Sequence, residues 1–318
     1  MSDRVLLAHG GGGHKMARLL RERLRPVLGD APFLHDGAVL PALPAGHRPA
    51  LTTDGFVVRP LVFPGGDIGR LAVCGTVNDL AMTGARPLSL TLGLVLEEGL
   101  PFSVLERVLC SVRDTAAEAG VAVVTGDTKV VERGAADGLY VTTAGLGAVA
   151  PGVEIGPWRV RAGDRIWVSG DVGRHGAAIL AQRAGLAVEI GVESDCAPLW
   201  DPVVPLLPAA HCLRDCTRGG LGAALVEVAD GAGLRFTVDE GAVPVIDRVR
   251  GACELLGLSP LHLACEGRFL AVLPEDVDWP AGTLLGQVSE GTGVRLRGPY
   301  GTERPLMLPS GEQLPRIC

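Results

Sequence analysis

The chain ends on a thiol, Cys318, preceded by Pro315, Arg316 and Ile317. Residues 308–318 hold two prolines, a glycine and several polar side chains, which predicts a mobile tail. Fully extended, such a segment reaches about 35–40 Å, enough to move a thiol between the surface and a cleft. Only the thiolate is a nucleophile. The α-carboxylate beside it should raise the thiol pKa, so a nearby cation or base is expected to help it ionise.

A second group of chemical residues is acidic. Asp36 precedes Gly37, Asp54 follows the strand-like stretch Leu51-Thr52-Thr53, Asp79 follows Asn78 on a helix, and Asp127 sits in Gly126-Asp127-Thr128-Lys129 behind the β-branched run 121–125. Each alone is ordinary turn chemistry. Together, carboxylates at strand ends would repel one another without a cation, and an all-oxygen set suits Mg²⁺ bound to phosphate oxygens. Asp215-Cys216-Thr217-Arg218-Gly219-Gly220 opens a helix with a glycine-bearing loop, where free N–H groups favour an anion and Arg218 adds a bidentate contact. The run His9 to His14 is no phosphate loop of the Gly-Lys-Ser/Thr type, since Met16 follows Lys15. It is expected to form a flexible flap or a disordered start. Lys15 and Lys129 are the only lysines among 29 basic residues, so a retained lysine suggests a task for a compact point charge.

The elements that must position these groups alternate between helix and strand. Strands are expected at 51–53, 56–63, 88–96, 121–125 and 139–149, then at 165–169, 234–238, 269–273 and 284–288. Asp67 should cap a helix running to about Thr83, and Ser103 with Glu106 reads as a capping box for a helix burying Leu105, Val108, Leu109 and Val112. Further helices are expected at 15–24, 176–184 and 217–229. The pattern predicts a mixed α/β and α+β protein in four parts: a glycine-rich segment and helix at 1–37, an α/β domain at 38–150, an α+β domain at 151–307, and the tail at 308–318.

Composition narrows the classes. The net charge of −7 and the lack of a basic stripe with aromatics argue against nucleic acid. No apolar run is long enough for a membrane helix and no leader pattern opens the sequence, so no membrane association is expected. Eight cysteines form no CxxC pair, and Cys212 and Cys216 near His211 lack a second ligand pair. Reduced thiols in the cytoplasm are the simplest expectation.

Thr53-Asp54-Gly55, the stretch Asn78 to Ala85, Gly126-Asp127-Thr128 and Asp215 to Gly220 resemble the aminoimidazole-ribonucleotide-synthetase-like ATP-binding superfamily. Ala8 to Gly13, Lys129, Glu266 in Cys265-Glu266-Gly267-Arg268, and the terminal Pro-Arg-Ile-Cys resemble, within it, the carbamoyl dehydratases of hydrogenase maturation. That resemblance implies a two-domain fold with a β-barrel-like homodimer interface. It implies a carbamoyltransferase partner that loads Cys318, ATP-driven dehydration of the carbamoyl group to a thiocyanate, and delivery of cyanide to an iron-carrying scaffold for the [NiFe] centre. It implies Cys318 as carrier, Glu266 as base and Lys129 as charge stabiliser. ATP contacts would come from Asp36, Asp54, Asn78, Asp79, Asp127, Thr128, Thr217, Arg218 and Gly219, and Mg²⁺ would be held by some of Asp36, Asp54, Asp79, Asp127 and Asp215. Two other readings compete: a nucleotide-switched scaffold whose tail only docks, and a sibling phosphoryl-transfer enzyme with a small-molecule substrate. The first cysteine, Cys74, lies well inside the fold, which disfavours the selenophosphate synthetases.

Overall fold

The computed structural model describes residues 3–30, 35–185, 190–308 and 317. After a short 3-10 turn (Leu7–His9), a helical segment runs through α1 (Gly13–Leu19), a π-turn (Leu20–Leu24) and α2 (Arg25–Leu28). Gly12 and Gly13 are described, at the entry to α1, and Gly10 packs so closely on Val130 that a Cβ there would sit 2.8 Å from its Cβ.

Four strands form the first sheet: β1 (Arg48–Phe56), β4 (Ala85–Glu97), β5 (Ala122–Val131) and β6 (Leu139–Val149). Their order is β1-β6-β4-β5. Only β4 and β5 are parallel, joined through the crossover helix α4 (Phe102–Glu118), while β2 (Val62–Phe63) and β3 (Gly66–Asp67) make a short hairpin. Strand β1 covers the strand expected at 51–53 and ends at Phe56, and of the strand expected at 56–63 only Phe56 and the two residues of β2 are extended. Strand β5 continues past Thr125 to Val131, so Asp127 and Lys129 lie within a strand rather than in a loop after one. Asp54 likewise lies inside β1.

Helix α3 (Ile68–Met82) is buried on nearly every side, as an apolar helix sandwiched between layers must be. Asp67 caps it, its Oδ1 accepting from the N–H groups of Gly69 at 2.9 Å and Arg70 at 3.1 Å. Gly69 allows α4 to approach, since a Cβ there would meet the Val108 carbonyl oxygen at 2.4 Å. Helix α4 buries the expected stripe of Leu105, Val108, Leu109 and Val112. It begins at Phe102 without a side-chain cap, and Glu106 pairs with Arg23 instead of closing a capping box.

The second sheet has the order β13-β12-β9-β11-β7-β10-β8. Its strands are β7 (Arg165–Val168), β8 (Cys212–Asp215), β9 (Arg235–Asp239), β10 (Phe269–Leu273), β11 (Thr283–Ser289), β12 (Gly293–Arg297) and β13 (Glu303–Pro305). Helices α5 (Arg174–Arg183), α6 (Trp200–Val203), α7 (Gly220–Ala232) and α8 (Asp247–Leu256) accompany it. The fully buried β10 is apolar along its whole length, as a central strand covered on both faces requires.

Asn78 ties the two sheets' units together. Its Nδ2 donates to the carbonyls of Ala197 at 3.0 Å and Glu266 at 3.4 Å, and its Oδ1 accepts from the Leu199 N–H at 2.8 Å. Arg70 adds a bond from Nε to the Cys196 carbonyl at 2.9 Å. No described helix is long and apolar enough to cross a membrane.

Candidate active site in the interdomain cleft

The cleft between α3 and the second sheet opens as a cavity of about 450 Å³ lined by Thr52, Asp79 and Asp215 among others. Strand β1 places Asp54 and Thr52 on the α3 side, because side chains alternate along a strand. Thr52 Oγ1 donates to Asp79 Oδ2 at 2.8 Å. Burial raises the Asp79 pKa, with the charge of Asp54 adding to it. Asp54 is raised by burial too, opposed by a bond from the Gly55 N–H and by the charge of Arg218. Asp215, at the end of β8, is pushed up to about 7 by burial first and then by Asp79. These three carboxylates are thus electrostatically coupled.

Glu266 lies on the segment leading into β10 and is buried, with Oε1 meeting no hydrogen-bond partner among the described residues. Burial pushes its pKa well above the ordinary carboxylate range, and Asp215 and Asp195 push it further. Arg268 does not pair with it. The guanidinium instead reaches Asp171 at 3.0 Å. Asp195 Oδ1 accepts from the Glu266 backbone N–H at 3.1 Å, and its Oδ2 is also buried without a described partner. Cys74 and Cys196 are buried in the same region as Glu266.

Thr217, Arg218 and Gly219 form the turn entering α7. Gly219 and Gly220 both adopt left-handed backbone, at φ 78° and 64°. At Gly220 a Cβ would meet the Leu263 carbonyl oxygen at 2.4 Å, so glycine is required by both conformation and space. The first N–H groups of a thirteen-residue helix are presented there.

The remaining acidic residues lie elsewhere. Asp36, Asp127 and Thr128 line a separate cavity of about 440 Å³ between the N-terminal helix and β5. The strand register runs Asp54, Thr143, Leu92, Gly126, so Asp127 falls one residue out of step and points to the opposite face from Asp54. Lys129 shares that face and pairs with Asp127 at 2.6 Å. That pairing lowers the Asp127 pKa. Among the described residues no three His, Cys, Asp or Glu groups close on a common point. The five aspartates therefore divide into Asp54, Asp79 and Asp215 in the cleft and Asp36 and Asp127 outside it.

Cys318 lies outside the described residues, but Ile317 is described and buried. It joins the apolar cluster that holds Cys74, Cys196, Ile179 and Ala264. Its carbonyl oxygen accepts from His175 Nε2 at 2.8 Å. His175, Ser194 and Asp195 were not singled out by sequence reasoning. Their partners are distant in the chain, and a histidine within an apolar helix and a serine in a loop give no local signal.

The donor set fits the expected ligands. It offers a hard cation oxygen atoms alone, and a divalent cation would offset both the burial and the neighbouring charge that raise Asp215. The turn at Thr217 to Gly220 and Arg218 suit phosphate.

Comparison with known proteins identifies the family. The AIR synthase related protein N-terminal domain matches residues 34–149, and the C-terminal domain matches residues 161–286. Carbamoyl dehydratase HypE of Rhodobacter capsulatus is 46% identical over 336 residues, covering 99% of this chain and 98% of that protein. A crystal structure of hydrogenase maturation protein HypE in complex with ATP aligns with a TM-score of 0.93 at 41% identity, covering 98% of this chain and 99% of that one. The HypE chain of a HypE–HypF complex aligns with a TM-score of 0.80 at 36% identity, covering 93% of this chain and 100% of that one. With both domain models matched and the likeness running over nearly its full length, this chain belongs to the carbamoyl dehydratase HypE family of the AIR synthase related proteins.

Proposed function

We propose that this protein uses ATP to dehydrate a carbamoyl group carried as a thiocarbamate on Cys318, giving an S-cyanide for the iron centre of a [NiFe]-hydrogenase. The observation that carries this reading is the burial of Ile317, one peptide bond before the carrier thiol, in the apolar cluster of Cys74 and Cys196 beside Glu266.

The chemistry balances as follows. The amide oxygen of the thiocarbamate attacks the γ-phosphorus of ATP, ADP leaves, and one N–H proton is lost. The carbon–oxygen bond to the new phosphate then breaks as the second N–H proton leaves, forming C≡N and inorganic phosphate. An amide oxygen is a poor leaving group, and phosphorylation corrects that. Glu266 accepts a proton. Its burial raises its pKa and makes it a stronger base than an ordinary carboxylate. Arg218 and the N–H groups at the α7 entry hold phosphate oxygens. Asp54, Asp79 and Asp215, with Asp36 and Asp127, would hold Mg²⁺, which supplies charge neutralisation across the phosphates. Asn78, whose amide groups are engaged between the domains, fixes the wall on which Asp79 stands.

Lys129 cannot act in the same chain's cleft, because it lies on the other face of the sheet. Among the described residues β1 pairs only with β6 and β5 only with β4, which leaves two strand edges nine and ten residues long. Joining β5 of one copy to β1 of another closes two four-stranded sheets into an eight-stranded barrel. It sets the strand that carries Asp127 and Lys129 of one copy beside the strand that carries Asp54 of the other, so the working unit is a homodimer. A carbamoyltransferase loads the thiol, and a maturation scaffold carrying iron receives the cyanide.

The test is Glu266→Gln. This variant should bind ATP and accept carbamoyl on Cys318, yet remain as the carboxamide by mass. Conversion at the normal rate would remove Glu266 from the mechanism.

A further inference from the structure

His175 is completely buried near the start of α5, yet both of its ring nitrogens are engaged. A carbonyl oxygen only accepts, so the 2.8 Å contact with Ile317 fixes the proton on Nε2. Nδ1 must then accept from the Ser194 hydroxyl, also at 2.8 Å. The Ser194 oxygen in turn accepts from the Cys196 N–H at 3.1 Å. The directions are consistent from end to end: Cys196 N–H to Ser194, Ser194 O–H to His175, His175 N–H to Ile317. Burial lowers the imidazole pKa, which agrees with a neutral ring. Phe63 stands edge-on to the ring with centroids 5.3 Å apart, which fixes its plane. The Ser194 N–H donates to the Pro64 carbonyl at 2.9 Å, so the relay is anchored at the seam between the two domains.

We propose that His175, oriented by Ser194, is a positioning residue that latches the last peptide unit of the tail, holding Cys318 at the interdomain site during dehydration and releasing it for loading. Two kinds of interaction make the latch: the His175 hydrogen bond to the Ile317 backbone and the burial of the Ile317 side chain. Recognition of a carbonyl rather than a side chain does not depend on what the thiol carries. The same latch therefore serves the free thiol, the thiocarbamate and the thiocyanate. The dehydration role rests on the function proposed above, whereas the latch itself does not.

The test has two readouts. Alkylation of Cys318 by iodoacetamide without ATP, followed by mass of the C-terminal peptide, reports how often the tail leaves the cleft. Removing one buried hydrogen bond should raise that rate about tenfold. His175→Phe keeps the ring packing on Phe63 but loses both bonds, and should show this rise. His175→Gln, which can place an amide N–H where Nε2 was, should restore most of the protection. Ile317→Gly tests the latch from the tail side, keeping the backbone carbonyl while removing the buried side chain, and should also accelerate alkylation. The second readout is single-turnover dehydration of preloaded S-carbamoyl Cys318, which should slow about tenfold in His175→Phe and Ile317→Gly while ATP affinity is unchanged. Unaltered alkylation in both variants overturns the latch. Accelerated alkylation with no dehydration even in the unmodified protein leaves the latch standing and refutes the dehydratase reading instead.

Discussion

Asp215 lends itself to a quantitative test, because its burial among acidic neighbours sets the sign and size of a stability effect. Its pKa is raised from 3.8 to about 7. The folded protein binds this proton more tightly than the unfolded chain does. The favourable contribution is therefore complete below the unfolded pKa and declines as pH rises towards 7. A neutral asparagine of the same shape escapes that decline. At about 1.4 kcal/mol per pH unit, Asp215→Asn should stabilise the nucleotide-free protein by roughly 1.7 kcal/mol at pH 5 and about 4 kcal/mol at pH 8. Urea unfolding at the two pH values, with a chelator to remove divalent cations, measures both numbers. Mg²⁺ and ATP should stabilise the parent and do much less for the variant. A gain that is equal at both pH values, or a loss at pH 8, would refute the raised pKa of the buried Asp215.

Two other predictions concern assembly and the seam between domains. Lys129→Ala and Glu266→Gln should each be inactive alone, whereas mixing them with subunit exchange should restore about a quarter of the sites if each site takes Lys129 from one copy and Glu266 from the other. No recovery, with exchange shown by mass, would place both residues in one chain's site. Asn78→Ala leaves the Leu199 N–H and two carbonyls without their side-chain partner, and should destabilise the protein by about 2–3 kcal/mol in urea unfolding.

The elements best read from sequence are those with a local cause. Asp67 stands before an apolar helix and caps it, and the stripe from Leu105 to Val112 has helical spacing and is buried. Boundaries failed where pairing overrode local pattern. Strand β5 runs through Gly126 and Asp127, residues that read as a turn, because β4 supplies a continuous parallel partner. Ser103 and Glu106 matched a capping box, but Arg23 took the carboxylate. The aspartates stand out in the sequence as a group, whereas their division between two faces depends on register and could not be read there. His175 and Ser194 meet only through the folding of distant segments, and the buried carbonyl at Ile317 that joins them is a backbone group that no residue type announces.

The most direct measurement is the intact mass of the C-terminal peptide after incubation with the carbamoyltransferase, carbamoyl phosphate and Mg-ATP. The dehydratase function predicts a carbamoyl adduct on Cys318 that loses one water only when the ATP can be hydrolysed. An unmodified Cys318, with the carbamoyltransferase shown to be active, would contradict it and make the tail a docking element.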